Sequence, residues 1–177
     1  LAKYLPNPED DLLATAGKAI QQGDYAEALP AAKEALALNP DNVNAKYMLI
    51  DCYIETGSID TAKALLEEIK LVDQDSRYKS LAGKIELAEQ AADTPEIRQL
   101  QAAVEANPDD LQLKVDLAVQ LQQANKAQDA LELLYSVLKK ELGFGDARKL
   151  MMDMVNALAD GDPLKSEYRR KVYSLLY

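Results

Sequence analysis

The sequence repeats with a period of 34 residues, and this period constrains the fold more than any single motif. A turn-forming glycine at Gly23 returns one period later at Gly57, and the same position is occupied by Ala91 and Asn125. Apolar side chains recur at the same interval, at Ala32, Leu66, Leu100 and Leu134. A period of this length is typical of helix–turn–helix units that stack, because one unit cannot bury its apolar face alone. We therefore expect an all-α array that offers a concave surface to protein partners.

Composition argues against several other classes of protein. The 177 residues carry a net charge of −10, one cysteine and no histidine. An acidic chain is repelled by nucleic acid and by anionic membranes, so we expect neither as a partner. The missing histidine removes the usual general base near neutral pH. A single cysteine cannot form an internal disulfide, which is consistent with a reducing compartment. These features favour a cytoplasmic protein that is not an enzyme and that needs no cofactor or metal.

Helix and turn signals divide the chain into six segments. We expect a linker over 1–8, four helical hairpins, and a C-terminal capping hairpin over 143–177. The four hairpins are expected over 9–42, 43–74, 77–108 and 111–142. The turn of the first combines Gly23, which adopts a left-handed conformation easily, with Asp24, a good cap for the next helix. In the third, Thr94 is a good cap and Pro95 suits the first position of a helix.

The first hairpin also carries a recognisable motif. It consists of Gly23-Asp24-Tyr25-Ala26-Glu27-Ala28, then Ala35-Leu36, then Asn39-Pro40-Asp41-Asn42. These residues resemble the tetratricopeptide-repeat consensus, and the resemblance extends over about 9–142. It implies a right-handed superhelical array of helical hairpins that acts as a protein-interaction module.

Three further stretches, over 73–78, 90–97 and 168–177, resemble the C-terminal part of bacterial chaperedoxins. These are cytoplasmic co-chaperones in which a thioredoxin-like domain precedes tetratricopeptide repeats. The resemblance implies that the chain binds partly unfolded clients and passes them to the chaperonin and the Hsp70 system. The thioredoxin-like part is not among these 177 residues, and without Cys-x-x-Cys or Ser-x-x-Cys no redox role carries over.

The resemblance also indicates a binding groove. In this repeat family the concave face is lined by the second, fifth, ninth and twelfth positions of each first helix. No Lys or Arg stands at these positions here, so we expect no clamp for a partner's C-terminal carboxylate. The face is largely apolar, and exposed apolar patches usually mark binding sites. The candidate partner-binding residues are Leu13, Ile20, Tyr47, Ile54, Tyr78, Leu81, Ile85, Val115 and Val119. The alternative is a structural assembly or oligomerisation scaffold, with a groove that is closed or is filled by residues 1–8.

The last predicted helix supplies a second candidate surface. It carries the basic run Arg169-Arg170-Lys171 on an otherwise acidic chain, followed by Tyr173 and Tyr177. Positive charge speeds encounter with an acidic partner, and the resemblance makes the chaperonin the first candidate. We expect Tyr168, Val172 and either Leu175 or Leu176 to anchor this helix on the hairpin before it. The alternative to a partner-binding surface is a solvated basic helix that only caps the array.

Two residues are candidates for chemistry. Ser76 opens a Ser-x-x-Lys pattern known from acyl-transfer enzymes, but the companion motifs are missing and a chance match is the alternative. Cys52 neighbours the core residue Tyr53, which favours a buried inert thiol over a reactive one. Neither residue changes the expectation of a non-catalytic module.

Overall fold

The computed structural model describes residues 7–177, and this part of the chain is built from α-helices. The all-α fold expected from the 34-residue period is therefore confirmed. A short 3-10 turn over Leu71–Asp73 precedes α5. The helices over these residues are α1 (Pro8–Gln21), α2 (Tyr25–Leu38), α3 (Val43–Glu55), α4 (Ile59–Glu67), α5 (Ser76–Ala92), α6 (Pro95–Ala106), α7 (Leu111–Gln123), α8 (Ala127–Lys140), α9 (Ala147–Ala157) and α10 (Pro163–Leu176).

Side-chain caps determine where most of these helices begin. The side chains of Asn7, Asn42 and Asp110 each accept a hydrogen bond from a backbone N–H in the first turn of α1, α3 and α7. Such caps satisfy donors that have no partner inside the helix. Helix α1 begins at Pro8, so the last residue of the predicted linker over 1–8 is helical. Proline loses no hydrogen bond at the first helical position. Residues 1–6 of that linker lie outside the described residues.

The turns between paired helices use the left-handed backbone conformation. Gly23 has a φ of 75°, Gly57 a φ of 88°, and Asn125 a φ of 60°. Glycine and, less often, asparagine adopt this conformation at low cost, which explains the recurrence of these residues one or two periods apart. Ala91 occupies the equivalent position in the third repeat but is helical, and α5 continues to Ala92. The connection to α6 is made instead through Asp93 and the capping residue Thr94.

The described residues form two compact units. The first contains residues 7–56, 61–85 and 159–161. Its core combines small side chains on α1 and α2, such as Ala16, Ala28 and Ala32, with larger ones on α3, such as Ile50. All four of these side chains are completely buried. Small residues at helix contacts allow the paired helices to approach closely.

The second unit contains residues 57–60, 86–158 and 162–177. Its core is formed by α6 to α10, and the last helix contributes Tyr168 and Val172, which are 2% and 1% exposed. Leu175 and Leu176 are partly buried against the same core. The expected anchoring of the last helix by these residues is therefore confirmed.

Candidate functional site

A cavity of about 770 Å³ opens among α1, α3 and α5 in the first unit. This volume falls in the range of sites that bind small molecules or segments of other chains. Gly17 lies on its wall, and a Cβ there would come within 3.7 Å of Cε of Met48. A longer side chain at position 17 would therefore extend into the cavity. The apolar lining consists of Leu13, Ile20, Tyr47, Met48 and Leu81, and the polar lining of Gln21, Asn44, Asp51, Ser76, Arg77, Ser80 and Lys84.

Four of the nine groove residues expected from the sequence line this cavity: Leu13, Ile20, Tyr47 and Leu81. The other five lie elsewhere. Ile54 and Ile85 are buried, with 8% and 4% exposure, and do not reach the cavity surface. Tyr78 borders a separate depression beside Leu71 and Lys79.

Val115 and Val119 belong to the second unit and are not among the residues that line the cavity. Val115 is buried in the core of that unit, and Val119 is half-buried. Val115 is therefore covered by its own unit, and a partner-binding role for Val119 stays a prediction.

Two of these five residues, Tyr78 and Ile85, lie on α5 and are misplaced because the register changes at that helix. Between α1 and α3 the cavity residues keep the 34-residue interval, as in Leu13 and Tyr47. Between α3 and α5 two hydrogen-bonded pairs, Asn44 with Arg77 and Asp51 with Lys84, are 33 residues apart. One residue turns a helical face by about 100°. The shift therefore places Arg77 and Lys84 where a strict 34-residue period places Tyr78 and Ile85.

The sequence indicates the register of α5 through the residue that caps this helix, Asp75. Asp75 accepts a hydrogen bond from the backbone N–H of Arg77 at 2.9 Å. Asn7 does the same for Glu9 at the start of α1, at 3.1 Å. Asp75 follows the α3 cap Asn42 by 33 residues, the same interval that separates Lys84 from Asp51. An alignment at this interval reveals two cations on a face where the 34-residue period predicts none.

Arg77 joins α3 to α5 at one end of the cavity. Its guanidinium lies over the ring of Tyr47, 4.4 Å from the centroid, and Nη1 donates a hydrogen bond to Oδ1 of Asn44 at 2.6 Å. Nε and Nη2 donate to the carboxylate of Asp75, with Nη2 at 2.8 Å from Oδ2. The hydrogen bond from Arg77 lowers the pKa of Asp75. The pKa of Arg77 is raised by the same pair. The pair is charged and mutually satisfied across the neutral range.

Lys84 lines the other end of the cavity and connects α5 to α3. Its Nζ donates to Oδ1 of Asp51 at 2.8 Å and to Oε1 of Glu55 at 3.1 Å. Partial burial alone would lower the pKa of Lys84, but the hydrogen bonds to Asp51 and Glu55 outweigh it and raise the pKa. Lys84 therefore remains protonated and bound to two carboxylates of its own chain.

Of the three basic residues expected on the C-terminal surface, two are exposed and one, Lys171, is not. Arg169 and Arg170 are exposed, Tyr173 is 50% exposed and Tyr177 is fully exposed. Lys171 is instead half-buried: its Nζ forms an ion pair with Glu167 at 3.0 Å and lies 4.5 Å from the centroid of the Tyr168 ring. Its ammonium group thus forms a cation–π contact with that ring. The exposed patch thus consists of two arginines and two tyrosines.

The two candidates for chemistry lie in ordinary environments. Cys52 is completely buried, and burial raises the pKa of its thiol to about 12. A thiol with this pKa is almost entirely protonated near neutral pH and is therefore a poor nucleophile. Ser76 and Lys79, the ends of the Ser-x-x-Lys pattern, are both exposed at the start of α5. Within residues 7–177, no three acidic, cysteine or histidine side chains form a cluster that could hold a metal ion.

Comparison with known proteins supplies the family. Two family models, each described as a tetratricopeptide repeat, match residues 19–85 and 90–177. The second match extends over α9 and α10, beyond the stretch of about 9–142 in which the consensus residues are recognisable. None of the described helices is both long and apolar enough to cross a membrane.

Two similar proteins span the whole chain or nearly so. An uncharacterized protein of Haemophilus influenzae (strain ATCC 51907 / DSM 11121 / KW20 / Rd) is 40% identical over 181 residues, which cover 100% of this chain and 82% of that protein. The crystal structure of a domain of protein VP0806, of unknown function, from Vibrio parahaemolyticus RIMD 2210633 is 39% identical. It covers 95% of this chain and 99% of the domain, with a TM-score of 0.81. With the two family matches and the helical hairpins described above, the chain belongs to the tetratricopeptide-repeat family.

Proposed function

We propose that the chain is a non-catalytic protein-interaction module and that the cavity among α1, α3 and α5 binds an extended segment of a partly unfolded client. The observation that carries the proposal is the apolar lining around Leu13, Ile20 and Tyr47 in a cavity open to solvent. Repeat arrays of this family present concave surfaces to protein partners, and an open apolar cavity is the default binding site on such a scaffold.

More specifically, we propose that the module belongs to a cytoplasmic co-chaperone. This proposal is supported by the resemblance of 73–78 and 168–177 to chaperedoxins. The first of these stretches contains Arg77, which lines the cavity, and the second contains the exposed arginines and tyrosines of the C-terminal helix. In this proposal the cavity holds the client, and the C-terminal helix contacts the chaperonin or the Hsp70 system.

Glycine substitutions test the client site without removing core side chains. Gly17→Gln fills the cavity from its wall, and glutamine is a better helix former than glycine, so the helix is preserved. Gly83→Gln is the matched control, because Gly83 lies in α5 and a Cβ added there would meet no described neighbouring atom within 4 Å. We expect Gly17→Gln to weaken binding of reduced, carboxymethylated α-lactalbumin at least tenfold in fluorescence anisotropy. Gly83→Gln is expected to bind as the wild type does. Equal binding by both variants would place the client site elsewhere.

The exposed patch on α10 supports contact with a chaperone as a second function of the same module. Arg169 and Arg170 face solvent on an acidic protein, and Tyr173 and Tyr177 expose rings beside them. Removal of α10 is unsuitable as a test, because Tyr168 and Val172 belong to the core. Arg169→Glu/Arg170→Glu and Tyr173→Ser/Tyr177→Ser leave that core intact.

Surface plasmon resonance with purified chaperonin, at low and at high salt, tests this contact. We expect both double variants to bind at least fivefold more weakly than the wild type. We also expect wild-type binding to weaken as salt rises, because salt screens charges on the surface. Wild-type affinity in both variants would leave α10 as a capping helix. Self-association in analytical ultracentrifugation without client binding would favour the assembly-scaffold alternative.

A further inference from the structure

We infer that the cavity among α1, α3 and α5 selects an internal, uncharged and apolar segment of its partner, and that a carboxylate on the ligand adds no affinity. The inference rests on the proposed function of this cavity and names the chemistry of its ligand. It depends on the ion pairs that the two cationic side chains of the cavity, Arg77 and Lys84, form within the chain.

Both cations are neutralised by the chain itself. Arg77 donates to Asp75 through two nitrogens and to Asn44 through a third. Lys84 donates to two carboxylates, those of Asp51 and Glu55. Three carboxylates therefore surround two cations, and the ends of the cavity carry no excess of positive charge among the described lining residues. A ligand carboxylate would have to displace one of these carboxylates, and such an exchange of one charged hydrogen bond for another yields little net affinity.

The remaining lining suits a neutral extended segment. Leu13, Ile20 and Met48 offer apolar surface, and burial of apolar area is a favourable term that does not depend on charge. Gln21 and Ser80 lie on the same lining and carry neutral groups that can both donate and accept hydrogen bonds. Such groups match the alternating N–H and C=O groups of an extended backbone. A negatively charged ligand would be repelled by the carboxylates of Asp75, Asp51 and Glu55, because Arg77 and Lys84 are already paired with them.

Peptide binding by the whole chain tests this selectivity. The probes are a fluorescein-labelled octapeptide of Leu, Ala and Val with an amidated C-terminus, the same peptide with a free carboxylate, and one with two central Asp residues. We expect the amide and the free acid to bind within about twofold of each other at both low and high salt, because both cations on the described lining are already paired. The Asp-containing peptide is expected to bind at least fivefold more weakly.

The outcomes separate this inference from the proposed function. A free acid that binds tenfold more tightly than the amide, with a preference that disappears at high salt, would overturn the inference and leave the cavity as a binding site. Failure of Gly17→Gln to weaken binding of the amide would contradict the proposed function and the inference together.

A single substitution is expected to create the missing carboxylate preference. Asp75→Asn removes the charge that neutralises Arg77 and keeps a side chain that caps helices equally well. We expect this variant to bind the free acid about fivefold more tightly than the amide, at low salt, which is the scale of one partly exposed ion pair. The matched control is Asp109→Asn, which removes a carboxylate from the exposed pair with Lys140 in the second unit. An unchanged ratio of affinities in Asp75→Asn would overturn the role given to Asp75.

Discussion

Cys52 and Arg77 show how the surroundings of a side chain decide its chemistry. Both lie in the first unit, Cys52 on α3 and Arg77 on α5. Cys52 is enclosed by the core and has lost the reactivity of a free thiol. Arg77 is at the cavity but is held by Asp75, Asn44 and the ring of Tyr47. Neither residue is available for the role that its type alone would suggest.

The thiol of Cys52 is expected to react only when the protein unfolds. Burial raises its pKa from an ordinary value of 9.0 to about 12, so the thiolate fraction at pH 8 falls by about a thousandfold. Labelling with DTNB at pH 8 should be complete within minutes in denaturant and negligible over the same time without it. Rapid labelling of the folded protein would contradict the burial of Cys52.

At the scale of helices, the repeat period predicts the hairpins, whereas the cap Asp75 indicates the register of α5. The period predicts the hairpins and the left-handed turns at Gly23, Gly57 and Asn125, because each requires a particular backbone conformation. It does not predict the register of α5, because the connection before that helix is one residue shorter than the period requires. Leu13, Ile20, Tyr47 and Leu81 could be placed from the period, whereas Arg77 and Lys84 could not.

Asp162 is the cap whose loss we expect to be most costly. It is 2% exposed, accepts a hydrogen bond from the backbone N–H of Leu164 at 3.0 Å, and accepts another from the hydroxyl of Ser58. Asp162→Ala removes the cap and leaves buried donors without a partner, which costs roughly 2–4 kcal/mol of unfolding free energy. Urea denaturation followed by circular dichroism measures this loss.

Asp24→Ala is the control for that measurement. Asp24 caps α2 through the backbone N–H of Glu27, at 3.0 Å, but it is exposed. Water can replace its hydrogen bond, so the expected cost is about 1 kcal/mol. Equal losses in the two variants would show that the buried hydrogen bond from Ser58 contributes nothing to stability.

At the scale of the whole molecule, the family and the helical fold follow from the sequence, but the location of the candidate site does not. The 34-residue period applied to all four repeats predicts one apolar groove with nine residues. The structure places four of these nine residues at the cavity in the first unit and buries Ile54, Ile85 and Val115. Such differences arise from tertiary packing, which decides which face of a helix is covered.

The central claim is that this cavity is where a partner chain binds. Nuclear magnetic resonance with the ¹⁵N-labelled protein and the neutral, amidated octapeptide tests it directly, because each backbone amide reports on its own surroundings. We expect the largest chemical-shift changes on α1, α3 and α5 around Ile20, Tyr47 and Ser80, with little change on α8 and α9. Shift changes confined to α9 and α10, or no changes at saturating peptide, would contradict the account.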